Sequence, residues 1–165
     1  GFGRTGKMFA YQHHGVVPDM VCLGKNLTAG LIPQGATALN RTTTRQVHEK
    51  PLPLGHTYMG HPAACAATVA VLSKLKREKT ISHSKKEGKF MLDHLQSHLP
   101  MHYSLRGKGL LMALETDQSG SEKKLIENGF LAHVENGLLP IAPPLNTPRK
   151  KIMDMAAAIE KLLSE

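Results

Sequence analysis

The sequence predicts a buried parallel α/β layer followed by a smaller α+β unit, and three observations carry that prediction. Two short, uninterrupted apolar runs, Met20 to Leu23 and Ala36 to Leu39, have the length and composition of strands buried on both faces. A helical pattern from Ala63 to about Arg77 is apolar all round in its first half, which marks a helix enclosed on every side. Near residue 80 the composition shifts, and the helices that follow carry one apolar stripe among Lys and His. We place a domain boundary there, giving residues 1–80 and 81–165. The full 165 residues leave room for one medium domain or two small ones.

Each element has its own justification. Met8 to His14 is an apolar and aromatic stretch that Gly15 interrupts, and Pro18-Asp19 reads as a turn. Gly24-Lys25 ends the first strand, and Thr28 to Gly35 is a glycine- and proline-bearing loop. Arg41 to Pro53 is polar and turn-rich. A second helix runs from about Ser84 to Leu99, with Leu92, Leu95 and Leu99 on one stripe and Pro100 as its stop. Tyr103 to Arg106 and Leu110 to Glu115 read as strands around Gly107 and Gly109. Ser121 to Asn128 is a short helix closed by Gly129, and Phe130 to His133 and Leu138 to Ile141 are short strands. Pro148 to Leu163 is an amphipathic helix with Ile152, Met155, Ala156, Ile159 and Leu163 inward.

Composition narrows the function. Hydrophobic residues make up 41% and charged residues 21%, which supports a globular core and argues against wholesale disorder. No run approaches the length of a membrane-spanning helix, so no membrane partner is expected. The net charge of +8 invites a nucleic-acid reading, yet the basic residues are scattered and aromatics are only 4%. The densest cluster, Lys74, Lys76, Arg77 and Lys79, suits a solvated helix end at the negative pole of its dipole. No nucleic-acid partner is expected. Cys22 and Cys65 are too few for a disulfide framework, which points to a reducing, cytoplasmic compartment. The chain opens on Gly1 without a signal segment, and its glycine-rich start reads as the middle of a longer protein.

Motifs were weighed for chemistry. Gly1, Gly3 and Gly6 match a dinucleotide fingerprint and Gly1, Gly6 and Lys7 part of a phosphate loop, but no strand precedes them and Met8 stands where a magnesium-binding hydroxyl belongs. The 10 histidines show no metal-ligand spacing, so no metal is expected. Lys25 stands out. A lysine at the C-terminal end of a buried strand lies where open α/β sheets bind ligands, and loss of water there lowers its pKa toward a neutral, nucleophilic amine. The alternative is a lysine that merely reaches the surface from a strand end. Thr57 precedes the apolar helix, where a hydroxyl can join helix-end amides around an anion or serve as a plain cap or turn residue.

Taken together, these segments resemble a known family. GFGRTGKMFAYQHHGVVPDMVCLGKNLTAG, HTYMGHPAACAA, LRGKGLLMALE and IAPPLNT follow the order of motifs in the class III (omega-type) aminotransferases, pyridoxal-phosphate enzymes of fold type I. The resemblance implies that residues 1–80 are the C-terminal part of the large cofactor-binding α/β domain with its connecting helix. Residues 81–165 would be the small C-terminal α+β domain.

It further implies a transaminase that moves an amino group from an amine or omega-amino acid to a keto acid. Lys25 would form the Schiff base with pyridoxal 5'-phosphate and carry the proton in catalysis. Thr57 would reach the cofactor phosphate of the neighbouring subunit, within a homodimer of shared active sites. Arg106 would either meet a substrate carboxylate or form an ion pair between domains. Two departures stand out. Members are more than twice as long, so the chain is expected to be incomplete and inactive alone. Pro140 occupies the approximate place of an arginine that many members carry before P-P-L. The alternatives are an aminomutase of the same family or a non-catalytic fragment of the fold.

Overall fold

The computed structural model describes residues 1–50, 55–116 and 121–164. They form two compact units, Gly1–Phe2 with Ala10–Lys79 and Gly3–Phe9 with Thr80–Glu165.

In the first unit, β1 (Met20–Leu23) and β2 (Ala36–Leu39) pair antiparallel, Met20 opposite Leu39 and Leu23 opposite Ala36. Neither the parallel arrangement nor the burial on both faces expected of these strands is met: their short connection returns the chain antiparallel. β1 alternates between exposed and half-buried positions, and three of the four β2 residues are exposed. An apolar run fixes what a strand is able to bury, and the described residues of this unit supply no second layer to cover it.

Arg41 to Pro53 also differs from expectation. Arg41–Glu49 is a helix, α1, and residues 51–53 lie outside the described residues. Asn40 starts it: its Oδ1 accepts from the Thr43 amide at 2.9 Å, while its Nδ2 donates to Asp19 Oδ1 at 2.9 Å. The apolar helix α2 spans Pro62–Arg77, with Pro62 in its first turn, where a missing N–H is harmless. Only Ala64 of α2 is buried, so its enclosure on every side is likewise not met within the unit.

The second unit holds the main core. Strands β3 (Leu105–Lys108), β4 (Leu111–Glu115) and β5 (Leu138–Ile141) form an antiparallel sheet in that order. The register sets Leu114 between Leu105 and Leu139, and Met112 opposite Ile141. On β4 the alternation turns Met112 and Leu114 to the interior. The helices α3 (Thr80–His98) and α5 (Arg149–Ser164) bring Met91, Leu95, Ile152, Ala156 and Ile159 to the same cluster, all almost fully buried. The short helix α4 (Ser121–Glu127) adds Leu125. Phe130–His133 is irregular rather than a strand. The Asn136-Gly137 turn closes the β5 hairpin at Glu135, which leaves one bridging residue, Glu135 opposite Leu138.

The buried stripe of α3 is more polar than its leucines suggest: Thr80, Ser84, Glu87, Gly88, Met91 and Leu95. Ser84 and Gly88 mark where the Gly3–Phe9 segment and the β3–β4 turn come against the helix. A Cβ on Gly88 would lie 2.0 Å from the Gly109 carbonyl carbon, and one on Gly109 would lie 2.5 Å from that of Thr5. Gly109 has φ +57 at the first place of a two-residue hairpin turn, which again favours glycine. The Ser84 hydroxyl donates to the Arg4 carbonyl at 3.2 Å and accepts from the Leu110 amide at 3.4 Å. The Arg4 guanidinium donates to the carbonyl of Leu110 at 3.2 Å and to that of Pro143. The phosphate-loop likeness of this segment thus has a packing explanation.

Glu87 accepts from Arg149 Nη2 at 3.0 Å and from Nε, and the same guanidinium lies 3.6 Å from the centroid of the Phe90 ring. The Arg149 hydrogen bond holds the Glu87 carboxyl below the usual carboxylate range, against the opposing effect of burial. Among the described residues no helix is long and apolar enough to cross a membrane.

Two outcomes follow for stability. Gly88→Ala should destabilise the second unit by about 3 kcal/mol or more, because the added methyl meets backbone rather than a movable side chain. Gly55→Ala, with nothing within 4 Å, should stay within about 0.5 kcal/mol of the parent, both read from urea midpoints. A carboxyl lowered in the folded state contributes stability above its ordinary value, here 4.5, and loses it as pH falls through the folded value. The parent should therefore exceed Glu87→Gln in urea midpoint at pH 7, with the gap closing below about pH 4.5.

Candidate active site

Lys25 sits where β1 gives way to a single 3-10 turn, Lys25–Leu27. Gly24 is extended, and Lys25 then turns to φ +54, a left-handed conformation that costs a non-glycine residue about 1–2 kcal/mol. Its neighbours hold it there. The Leu27 amide donates to the Gly24 carbonyl at 3.2 Å, and the Leu31 amide donates to the Thr28 carbonyl at the same distance. The Thr28 hydroxyl donates to the Ile32 carbonyl at 2.6 Å. Leu27 and Thr28 are buried at 3% and 2% exposure, so the turn is anchored from below. Helix α2 packs against it.

The lysine itself is exposed. The expected desolvation is therefore not supplied by the described residues of this unit, for the reason that leaves β1 half-exposed. What the structure does provide is a primary amine presented outward from a backbone that its neighbours hold in a strained conformation.

Thr57 lies in a double turn ahead of α2. The Met59 amide donates to the His56 carbonyl at 2.9 Å, and the His61 amide to the Tyr58 carbonyl at 3.2 Å. The helix cap is His61, whose Nδ1 accepts from the Ala64 amide at 3.4 Å, so Thr57 is an exposed turn residue and not the cap. Lys25 and Thr57 thus share the first unit: α2 packs on the lysine turn, and the loop that leads into α2 carries the threonine.

Arg106 belongs to the second unit, on β3. It forms an ion pair with Glu115 on the neighbouring strand β4, and both side chains are more than half or about half exposed. The ion pair expected between domains is in fact one within a single sheet, because the register sets Arg106 opposite Ala113 and diagonal to Glu115. The pair borders a shallow cavity of about 560 Å³ with His102, Tyr103, Asn136 and Gly137. Pro140, in β5, faces Ala113 in the register and offers no charge.

Sequence reasoning passed over two residues that support these features. Thr28, beneath the lysine, is one polar residue in a Thr-Ala-Gly stretch, and nothing local distinguishes it. Arg4 was legible only as part of a glycine-rich turn, although its charge beside Gly3 and Gly6 could have suggested a carbonyl-binding anchor. Burial holds its guanidinium below the ordinary value.

Comparison with known proteins places this arrangement. The family model described as Aminotransferase class-III matches residues 1–163. The acetylornithine aminotransferase of Caldanaerobacter subterraneus subsp. tengcongensis is 34% identical over 172 residues, covering 100% of this chain and 43% of the relative. The solved ornithine aminotransferase from Toxoplasma gondii superposes with a TM-score of 0.87 at 33% identity, covering 99% of this chain and 40% of its own. An amine transaminase from an uncultivated Pseudomonas species, solved in its pyridoxal-phosphate-bound form, gives a TM-score of 0.88 at 31% identity, covering 99% and 42%. The chain spans about two fifths of the length of these relatives. The mixed α/β architecture is that of the transaminases, and the four ordered motifs lie within the matched residues: the chain belongs to the class III aminotransferase family.

Proposed function

We propose that this chain serves a pyridoxal-phosphate-dependent transamination in which an amino group passes from an amine or omega-amino acid to a keto acid. The observation that carries the proposal is the Lys25 amine, displayed from a left-handed turn that buried Leu27 and Thr28 hold in place. Strained backbone at an exposed, nucleophilic residue is spent on positioning, since a relaxed lysine would serve solubility equally well.

The residues present fit a phosphorylated aldehyde. Lys25 supplies the primary amine that would hold the aldehyde carbon, and Thr57, in the exposed turn leading to the α2 N-terminus, supplies a hydroxyl for the phosphate. When bound, the cofactor supplies an electron sink that stabilises negative charge at the substrate carbon and stores the amino group between half-reactions. Once the substrate amine has displaced it, the Lys25 Nζ is the base that takes the proton from the carbon bearing that amine. For this the amine must be neutral, so the proposal requires water to be withdrawn from Lys25 in the working enzyme.

We assign Thr57 to act across a homodimer with shared sites. Val16, Val17, Met20 and Val69 of the first unit are all more than half exposed, apolar side chains of the kind a second copy would cover. Arg106 is the cation we assign to a substrate carboxylate, with Glu115 holding the guanidinium until the carboxylate replaces it. The free, exposed thiols of Cys22 and Cys65 suit a cytoplasmic setting.

The full-length protein that carries this chain, titrated with pyridoxal phosphate, should develop a yellow absorbance band that borohydride bleaches, with the reduced adduct mapping to Lys25. Lys25→Ala should show neither, while Thr57→Val should weaken cofactor binding about tenfold and still be labelled at Lys25. A missing band, or an adduct mapped to another lysine, would overturn the proposal. In steady-state assays of the full-length enzyme that carries this chain, Arg106→Ala should raise KM for the keto acid at least about tenfold with kcat little changed, and Glu115→Gln should lower that KM. An unchanged KM in both variants would remove Arg106 from the substrate site.

A further inference from the structure

Two histidines and a carboxylate converge on the α3–α5 face of the second unit, and none of them serves the reaction proposed above. The expectation of no metal overlooked the four-residue spacing of His94 and His98, which stand one turn apart on α3, so their side chains share a face, with ring centroids 4.2 Å apart. Glu160 reaches them from α5: its buried Oε1 lies 2.9 Å from His94 Nε2. One ligand atom from each of the three residues falls within 4.8 Å of the other two.

The surroundings orient this set. His98 Nδ1 lies 2.8 Å from the His94 backbone carbonyl, a contact in which Nδ1–H donates and the lone pair is left on Nε2. That is the tautomer a metal-binding imidazole adopts when its other nitrogen is held by a carbonyl. Phe90 stacks on the His94 ring at 6.0 Å with an interplanar angle of 20°, which restricts the ring from the preceding turn. Two imidazole nitrogens and one carboxylate oxygen form a donor set suited to zinc, whereas magnesium and calcium favour all-oxygen shells.

We infer that His94, His98 and Glu160 form a zinc-binding site joining α3 to α5, with an open fourth position for water. Ligands about 2.0–2.2 Å from a tetrahedral zinc lie roughly 3.3–3.5 Å apart, so the 2.9 Å His94–Glu160 contact must open slightly while atoms as far as 4.8 Å apart draw together. The exposed His98 makes this adjustment while its Nδ1 keeps the His94 carbonyl. The bound ion would replace the His94–Glu160 contact with bonds that tie the last helix to the core-facing helix α3. Its effect is on the stability of the second unit, and the Lys25 chemistry belongs to the first.

The test uses metal-free protein carrying Cys22→Ser and Cys65→Ser, so that no thiol competes for the ion. Zinc titrated by calorimetry should bind with a stoichiometry of one, and saturating zinc should raise the melting temperature by about 5 °C. His98→Ala, which removes an exposed side chain, should weaken zinc binding at least about tenfold, as should Glu160→Gln. Magnesium at the same concentration should produce no shift. Absence of saturable zinc binding, or binding that His98→Ala leaves unchanged, would overturn the site and leave His94–Glu160 an ordinary ion pair.

Discussion

Everything in the second unit depends on three backbones meeting where only glycine fits. The Thr5–Gly6 segment, the Gly109 turn and the Gly88 position of α3 approach one another closely enough that any Cβ at Gly88 or Gly109 would fall inside a neighbouring backbone atom's radius. A close approach of this kind strips water from carbonyls and amides, which then need partners. Ser84 and Arg4 provide them, the hydroxyl bridging the Arg4 carbonyl and the Leu110 amide, the guanidinium collecting the carbonyls of Leu110 and Pro143. The β3–β4 hairpin is thereby fixed against α3, and the alternation along β4 then decides that Met112 and Leu114 face the core.

The first unit follows a different economy. It exposes apolar side chains on β1, α2 and the loops between them, and its ordered features are local: the Asn40 cap, the His61 cap and the turn under Lys25. Its most informative residue is held by short-range contacts and by the packing of α2 on its turn. The strained φ of Lys25 is maintained by the burial of the two residues that follow Asn26 and by the Thr28 hydroxyl bond. A side chain set on such a turn has its backbone position fixed by the turn itself.

Much of the fold was legible because it rests on local rules. The α2 start, within one residue of Pro62, the stop of α3 before Pro100, the β4 strand and the inward face of α5 all follow from proline geometry and hydrophobic period, while β3 lies two residues later than its pattern suggests. Two segments depart from expectation. Arg41 to Pro53 is mostly polar and reads as turn-rich, yet Asn40 caps a helix over Arg41–Glu49. Phe130 to His133 reads as a short strand, yet the Asn136-Gly137 turn closes the hairpin after it. The site divides in the same way. Lys25 and Thr57 were reached from motif order, while Thr28 and Arg4 acquire importance only from what they touch.

The sequence by itself determined the family, the position of the amine and the ordered motifs around it, since these depend on residue identity and spacing along the chain. It also marked the start of α2 and the ends of α3 and α4, because prolines and glycines act over a few residues. Only the tertiary structure decided that the glycines of the opening segment serve packing, that Arg106 is held by Glu115 within one sheet, and that Glu87 is buried against Arg149. It alone brought Glu160 to His94 and His98. Each of these is a meeting of residues far apart in the chain, and a sequence records which groups are available for such a meeting without recording which of them the fold brings within reach.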